Sequence, residues 1–202
     1  MMLAVIAGAL LFGAAGWLGT IAGTALVADV APLSEGPSSG NPPVPWLIAG
    51  SIVLGALLAQ HAVAAQLGLA ALVVFALVAA WCSDVLRGVV PDICTLGPLA
   101  AILFIALIEH RPSPWISAFI VFAPFALSAL LSKGRGMGWG DVKLAALGGA
   151  ALGAQAALLA FAVASTAAVV VHRVAGTRGA PIAFAPYLAA AIGAGLMVGA
   201  LL

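Results

Sequence analysis

Gly136-Met137-Gly138-Trp139-Gly140-Asp141-Val142-Lys143 sets a carboxylate directly after closely spaced glycines and directly before a long apolar stretch. Only six of the 202 residues are acidic. An ionisable side chain at the edge of a membrane-length apolar run is costly to keep there, and it marks a functional site by default. Asp84, at the end of another apolar run, is its candidate partner.

Outward from that stretch the chain is 65% hydrophobic and 6% charged. Soluble domains carry about 25% charged residues, so this composition excludes a water-soluble protein. A net charge of +1 gives no ground for a nucleic-acid partner; the expected surroundings are a lipid bilayer. Inside a bilayer each backbone segment must satisfy its own hydrogen bonds, so the apolar runs predict helices. The fold expected is all-α: one integral membrane domain over residues 1–202, a polytopic helix bundle.

Spans need roughly 20 residues. They are expected at 3–27, at 93–108, at 115–131 and at 182–202, with a two-helix hairpin over 46–83 that divides near Gln60-His61 or Gln66. Residues 3–27 read as a retained span, because no basic region precedes them and no small-residue cleavage site clearly ends them. Residues 28–45 form a polar break containing Asp29 and Glu35, Ser83–Asp92 a second, and Ser132–Gly140 a loop. Residues 142–171 are too long for one simple crossing: about 30 helical residues run about 45 Å. The cluster Gly148, Gly149 and Gly153 with Gln155 either breaks this stretch, giving about eight helices, or leaves one tilted helix and seven. The eight-helix arrangement places Arg87, Lys133, Arg135, Lys143, Arg173 and Arg178 on one side and only Arg111 on the other. Positive residues favour the cytoplasmic side, which makes the face carrying Asp84 and Asp141 cytoplasmic and favours eight.

Asp84 and Asp141 lie 57 positions apart, so only helix packing can bring them together. Two carboxylates in one confined site cannot both ionise easily and come to share a proton. The ionised member can then take a proton from an attacking water while the other donates to a developing oxyanion, which hydrolyses an amide bond without a metal. Gly136, Gly138 and Gly140 are expected to shape the loop through backbone angles closed to other residues and to let a substrate strand come close. Each acid has a plainer reading. Asp141 stands where a helix begins, as an N-cap or first-turn acid; Asp84 can be an interfacial acid beside Arg87. Asp92, after Pro91, reads as a helix cap ahead of its other reading, a residue that supports the acid pair. Lys143, two residues from Asp141, cannot face the same way and is assigned to headgroups or substrate main chain. Trp139 is expected at the membrane interface. Gly149 and Gly153 form a small-xxx-small packing pair. Cys82 and Cys94 read as small apolar residues. His61, His110 and His172 are too scattered for a metal site, and no metal or other cofactor is expected.

Gly138-Trp139-Gly140-Asp141-Val142-Lys143-Leu144 resembles the Gly-x-Gly-Asp-x-Lys-Leu signature of the prepilin peptidases, also called type IV leader peptidases. Asp84-Val85-Leu86-Arg87-Gly88-Val89-Val90-Pro91-Asp92 resembles that family's other catalytic segment, and Pro181–Leu188 its closing Pro-Phe-Gly-Pro-Phe-Leu segment. The resemblance covers roughly residues 80–195. It implies a membrane-embedded aspartic endopeptidase of the bacterial plasma membrane with Asp84 and Asp141 as the catalytic pair. Gly136, Gly138, Gly140, Lys143 and Pro91 are then the substrate-binding or loop-shaping residues. The implied substrates are prepilins or related pseudopilins, cut after a short basic leader at the cytoplasmic face; a homo-oligomer is possible. Larger members carry a zinc-binding cysteine-rich domain between their first two spans and often methylate the new amino terminus. Here residues 28–45 are short and cysteine-free, so the zinc is not expected and methyl transfer is in question. Leu86 stands where many bacterial members have a further acid. Two other classes stay open: a small multipass transporter, since intramembrane acids and broken glycine-rich helices also mark ion pathways, and a non-catalytic assembly protein built on its Gly/Ala faces.

Overall fold

The computed structural model describes residues 2–30, 41–131, 138–174 and 183–201. Among these there are eight helices and no strand: α1 Met2–Ala25, α2 Val44–Leu58, α3 Ala64–Arg87, α4 Asp92–Ile108, α5 Ser113–Leu131, α6 Trp139–Leu152, α7 Ala154–Val174 and α8 Ala185–Leu201. α1, α3, α5 and α7 are long and apolar enough to cross a membrane; α2, α4 and α8 are shorter apolar helices. The protein is an all-α membrane helix bundle. Its outer surface shows side chains such as Trp46, Phe119 and Val163, which suit lipid as solvent.

The choice between seven and eight helices falls to Gly153. Its φ of +84° lies where only glycine is comfortable, and it ends α6 while its amide still bonds to the Gly149 carbonyl at 3.0 Å. Gly148 and Gly149 remain helical. A Cβ on Gly149 would stand 2.8 Å from the Ser117 carbonyl oxygen, so this glycine serves close packing on α5. Its expected packing partner Gly153 has nothing within 4 Å of such a Cβ and is the hinge instead. The hairpin divides at residues 59–63, the first of the two expected places; the Gln66 side chain takes the Val63 N–H at the start of α3 instead of breaking it.

α6 is only 14 residues long, about 21 Å. Val142, Leu144, Ala145 and Leu147 on it are fully buried. Leu144 and Leu147 belong to a core that draws Leu77 and Ala80 from α3, Ile102 from α4, Val121 from α5, Phe161 from α7 and Leu188 and Ile192 from α8. A helix apolar on every side belongs in the interior. α3 is the other inner helix: 61% of its span is buried, against 28% for α1 and 22% for α5 and α7. On its far side α1 and α2 close a second core of Phe12, Leu54, Val74 and Val78. That contact is backbone-close. A Cβ on Gly23 would meet the Ala79 carbonyl oxygen at 2.4 Å.

Two short turns define the end of the bundle where both acids lie. α3 stops at Gly88, whose left-handed φ of 68° is a frequent helix stop. Pro91 then caps α4 in an extended conformation, with its carbonyl taking the Cys94 amide. Gly140 lies in the first turn of α6, not in the loop expected to end there. Neither it nor Gly138 has a positive φ; Gly138, at φ −75° and ψ 149°, adopts angles open to any residue. The expectation of special backbone angles fails at both. Gly140 is needed for space: a Cβ there would come 2.8 Å from Val90. Gly136 lies outside the described residues.

These contacts order the glycines by tolerance. Gly23→Ala and Gly140→Ala each lower the stability of the detergent-purified protein by about 1–3 kcal/mol, the usual range for overpacking. Gly68→Ala, open on all sides within 4 Å, raises stability by about 0.5–1 kcal/mol. Gly138→Ala stays within about 1 kcal/mol of the parent, the scale of a weakened N-cap. Thermal unfolding followed by circular dichroism measures all four; equal effects at Gly138 and Gly140 would refute this account of the first turn of α6.

Candidate active site

Asp84 sits in the last turn of α3, inside the helix instead of in the polar break expected at 83–92, and is 8% exposed. A carboxylate this deep needs donors, because an unpaired buried charge costs several kcal/mol. One comes from far along the chain: the Ala185 N–H donates to its Oδ2 at 3.1 Å. Ala185 is the first residue of α8. Its amide is one of the free donors every helix leaves at its N-terminus, where the helix dipole also favours negative charge. Arg87 is not the partner of Asp84. Its guanidinium donates to the Ala28 carbonyl at 3.3 Å.

Asp141 is the third residue of α6. Its carboxylate accepts the backbone N–H of Gly138, the residue before the helix. That is the returning half of a capping box, in which a third-position acid reaches back to the cap residue's amide. The first-turn reading of Asp141 therefore holds, and the N-cap position itself belongs to Gly138. The same carboxylate also interacts electrostatically with that of Asp84. Folding has thus set the two acids within each other's field, each held by the amide of a helix start.

Around them the other singled-out residues find different places. The Lys143 ammonium donates to Asp92 Oδ1 across the gap between α6 and α4. Asp92 is the first helical residue of α4 and makes no cap hydrogen bond, so its expected capping role gives way to this ion pair. Lys143 was expected to meet headgroups or substrate; in the folded chain it is engaged by Asp92. Trp139 is half exposed, as an interfacial residue should be. Cys82 and Cys94 are buried and unpaired.

The sequence did not reveal the Ala185 amide or the Asp92–Lys143 pair. An amide donor has no side-chain signature, although the segment Pro181–Leu188 had drawn notice and contains Ala185. The ion pair joins residues 51 positions apart. An apolar cleft of about 1130 Å³ runs elsewhere, between α3, α4, α7 and α8, past Leu69, Val73, Ile102, Leu159 and Tyr187. Neither acid lines it.

The sequence profile of the type IV leader peptidase family matches residues 70–172. No curated protein and no solved structure matches the chain. The matched stretch runs from the second turn of α3 almost to the end of α7 and contains Asp84, the 88–92 turn and Asp141; it stops before the α8 start that supplies the Ala185 amide. Since it spans just over half of the 202 residues and holds both acids, the chain is a member of the type IV leader peptidase family.

Proposed function

We propose that this membrane peptidase is an aspartic endopeptidase in which Asp84 and Asp141 together activate water, and that it removes the short basic leader of type IV prepilins or related pseudopilins. The observation that carries this reading is the electrostatic interaction between two acids 57 positions apart in an almost uncharged chain. Bundles do not gather like charges for stability, since like charges in a low-dielectric site repel strongly. One shared proton relieves that repulsion and leaves the pair with one base and one acid. The base takes a proton from water as the oxygen attacks the scissile carbonyl. The acid donates to the carbonyl oxygen; as the C–N bond breaks, the proton taken from water passes to the leaving amine and a hydroxyl of the collapsing diol returns a proton to the acid. The amides of Ala185 and Gly138 hold the two carboxylates in place throughout.

The position of the pair supports cleavage at the cytoplasmic face. Asp84 lies at the end of α3 and Asp141 at the start of α6, on the side that the positive-inside tendency assigns to Arg87, Lys143 and Arg173. A substrate whose apolar helix stays in the bilayer presents its leader junction at that depth. Gly138, exposed and with only Asp141 near the place of its missing side chain, leaves the chain uncrowded beside that acid. The bacterial plasma membrane fits such a substrate. The transporter alternative gains nothing from the apolar cleft, because the acids are not on it.

The test is incubation of the purified full chain, in nanodiscs, with candidate prepilins and mass spectrometry of the new amino terminus, which also reports any added methyl group. Asp84→Asn and Asp141→Asn are each expected to lower kcat by about a thousandfold or more, because removing one member of a catalytic unit disables the whole. Circular dichroism should stay unchanged, since each amide still fits the carboxylate's place. The pH profile of kcat/KM in the parent should be bell-shaped, reporting the pair as one coupled system. Wild-type cleavage by either single variant would defeat the paired-acid mechanism.

A further inference from the structure

The sequence of α6 sends two charged side chains in different directions from its first turn. Asp141 and Lys143 are two residues apart, so they lie on nearly opposite sides of the helix. Asp141 turns toward Asp84, while Lys143 reaches α4 and donates to Asp92. Asp92 is more than half exposed and Lys143 about one-quarter exposed, so the pair sits at the rim of the site and not within it. Exposed ion pairs contribute little to overall stability. Their geometric effect can be larger than that, because this one joins the two halves of the acid pair.

The 88–91 turn is the connection. It starts one helical turn after Asp84, where the Gly88 amide bonds to the Asp84 carbonyl at 2.8 Å. It ends at Asp92, the first residue of α4. Within it Val90 lies so close to Gly140 that no side chain fits between them. The turn that follows Asp84 therefore touches the first turn of α6 at two points on either side of Asp141: Val90 against Gly140, and Asp92 against Lys143. The first is a contact without direction. The second is a charged hydrogen bond that fixes how α6 is rotated and how far it stands from α3.

We infer that Asp92 and Lys143 form a positioning pair that sets the separation and facing of Asp84 and Asp141, an inference that rests on the catalytic reading of those two acids. Neither residue touches the reacting atoms. Lys143 acts through the start of α6 and Asp92 through the turn that follows Asp84.

The test uses the full chain in nanodiscs as parent, Asp92→Asn, Lys143→Gln, the double variant with both changes, and the charge-swapped Asp92→Lys/Lys143→Asp. Spin labels on Ile93→Cys and Trp139→Cys, both exposed positions at the starts of α4 and α6, read the α4–α6 distance without any need for activity. Cleavage of a prepilin probe gives kcat and KM separately. Each single variant should broaden the distance distribution and lower kcat roughly ten- to a hundredfold, the scale expected when catalytic groups are misplaced by about 1 Å. KM should stay within about twofold, the double variant should be no worse than either single one, and the swapped pair should recover both the distance and most of the kcat. Unchanged distances in all variants would overturn the inference whatever the activity does. So would additive losses, or a raised KM in Lys143→Gln with Asp92→Asn silent, which would make Lys143 a substrate contact. If the parent cleaves no prepilin, the proposed function falls, and the distance measurement still decides whether the pair braces the two helices.

Discussion

Two carboxylates set within each other's field, among alanine, leucine and valine, constrain the rest of this fold. Each needs donors that do not themselves carry charge into the core, and helix N-termini supply them. Asp84 takes the first amide of α8, and Asp141 takes the amide just before α6. A charge-assisted hydrogen bond contributes about 1.5–3 kcal/mol, which offsets part of the loss of water. The arrangement requires the starts of two helices and the end of a third to meet in one place. The acids must therefore lie at an end of the bundle.

That requirement accounts for the unusual proportions of α6. A helix that crossed in one continuous run through residue 174 would be free to tilt and to slide along its neighbours. The hinge at Gly153 turns the chain between α6 and α7 and lets α6 be a short inner rod, buried over most of its length among α4, α5, α7 and α8. Its first turn is then fixed from several directions: Gly140 by Val90, Lys143 by Asp92, and Asp141 by Gly138 and the field of Asp84. Only a glycine at 140 allows the first of these contacts, so Gly140 serves proximity here and not an unusual backbone angle.

Much of this was legible in the sequence, and what was not has a common cause. The helices could be placed because length and apolarity in a bilayer leave no other backbone solution; α1, α4 and α5 fall within three residues of the spans expected. A break in 142–171 is the favoured reading of the sequence over one tilted helix, but Gly148, Gly149 and Gly153 cannot be told apart there: glycine is tolerated inside a helix when a neighbour needs the space, and only the packing of Ser117 and Phe161 shows which glycines do that. The two acids stood out because charge is so rare here. Their donors did not. Ala185 acts through its backbone, 101 positions from Asp84, and an apolar residue gives no sign of such a role. The expectations of an Asp84–Arg87 pair and an Asp92 cap failed for the same reason: each chose a sequence neighbour, while the fold offered Ala185 to one and Lys143 to the other.

The boundary of the family match suggests how the remaining helices contribute. Residues 70–172 take in most of α3 and all of α4, α5 and α6, and leave out α1 and α2. These two helices lie mainly against α3, and α2 also meets α8. Gly8 packs against Gly55 between α1 and α2, and Gly23 of α1 against the Ala79 backbone of α3, contacts too close for any side chain to intervene. Interiors packed to that density have little room to deform. α3 is thus clamped between the α1–α2 hairpin and the α6 core, and its last turn, which carries Asp84, takes its position from both sides. A second link runs along the same end of the bundle, where Arg87, one turn beyond the level of Asp84, donates to the Ala28 carbonyl just after α1. The α1–α2 pair supplies no reacting group, yet it holds the helix that does, through a contact of Gly23 with the Ala79 backbone that leaves no room for a side chain.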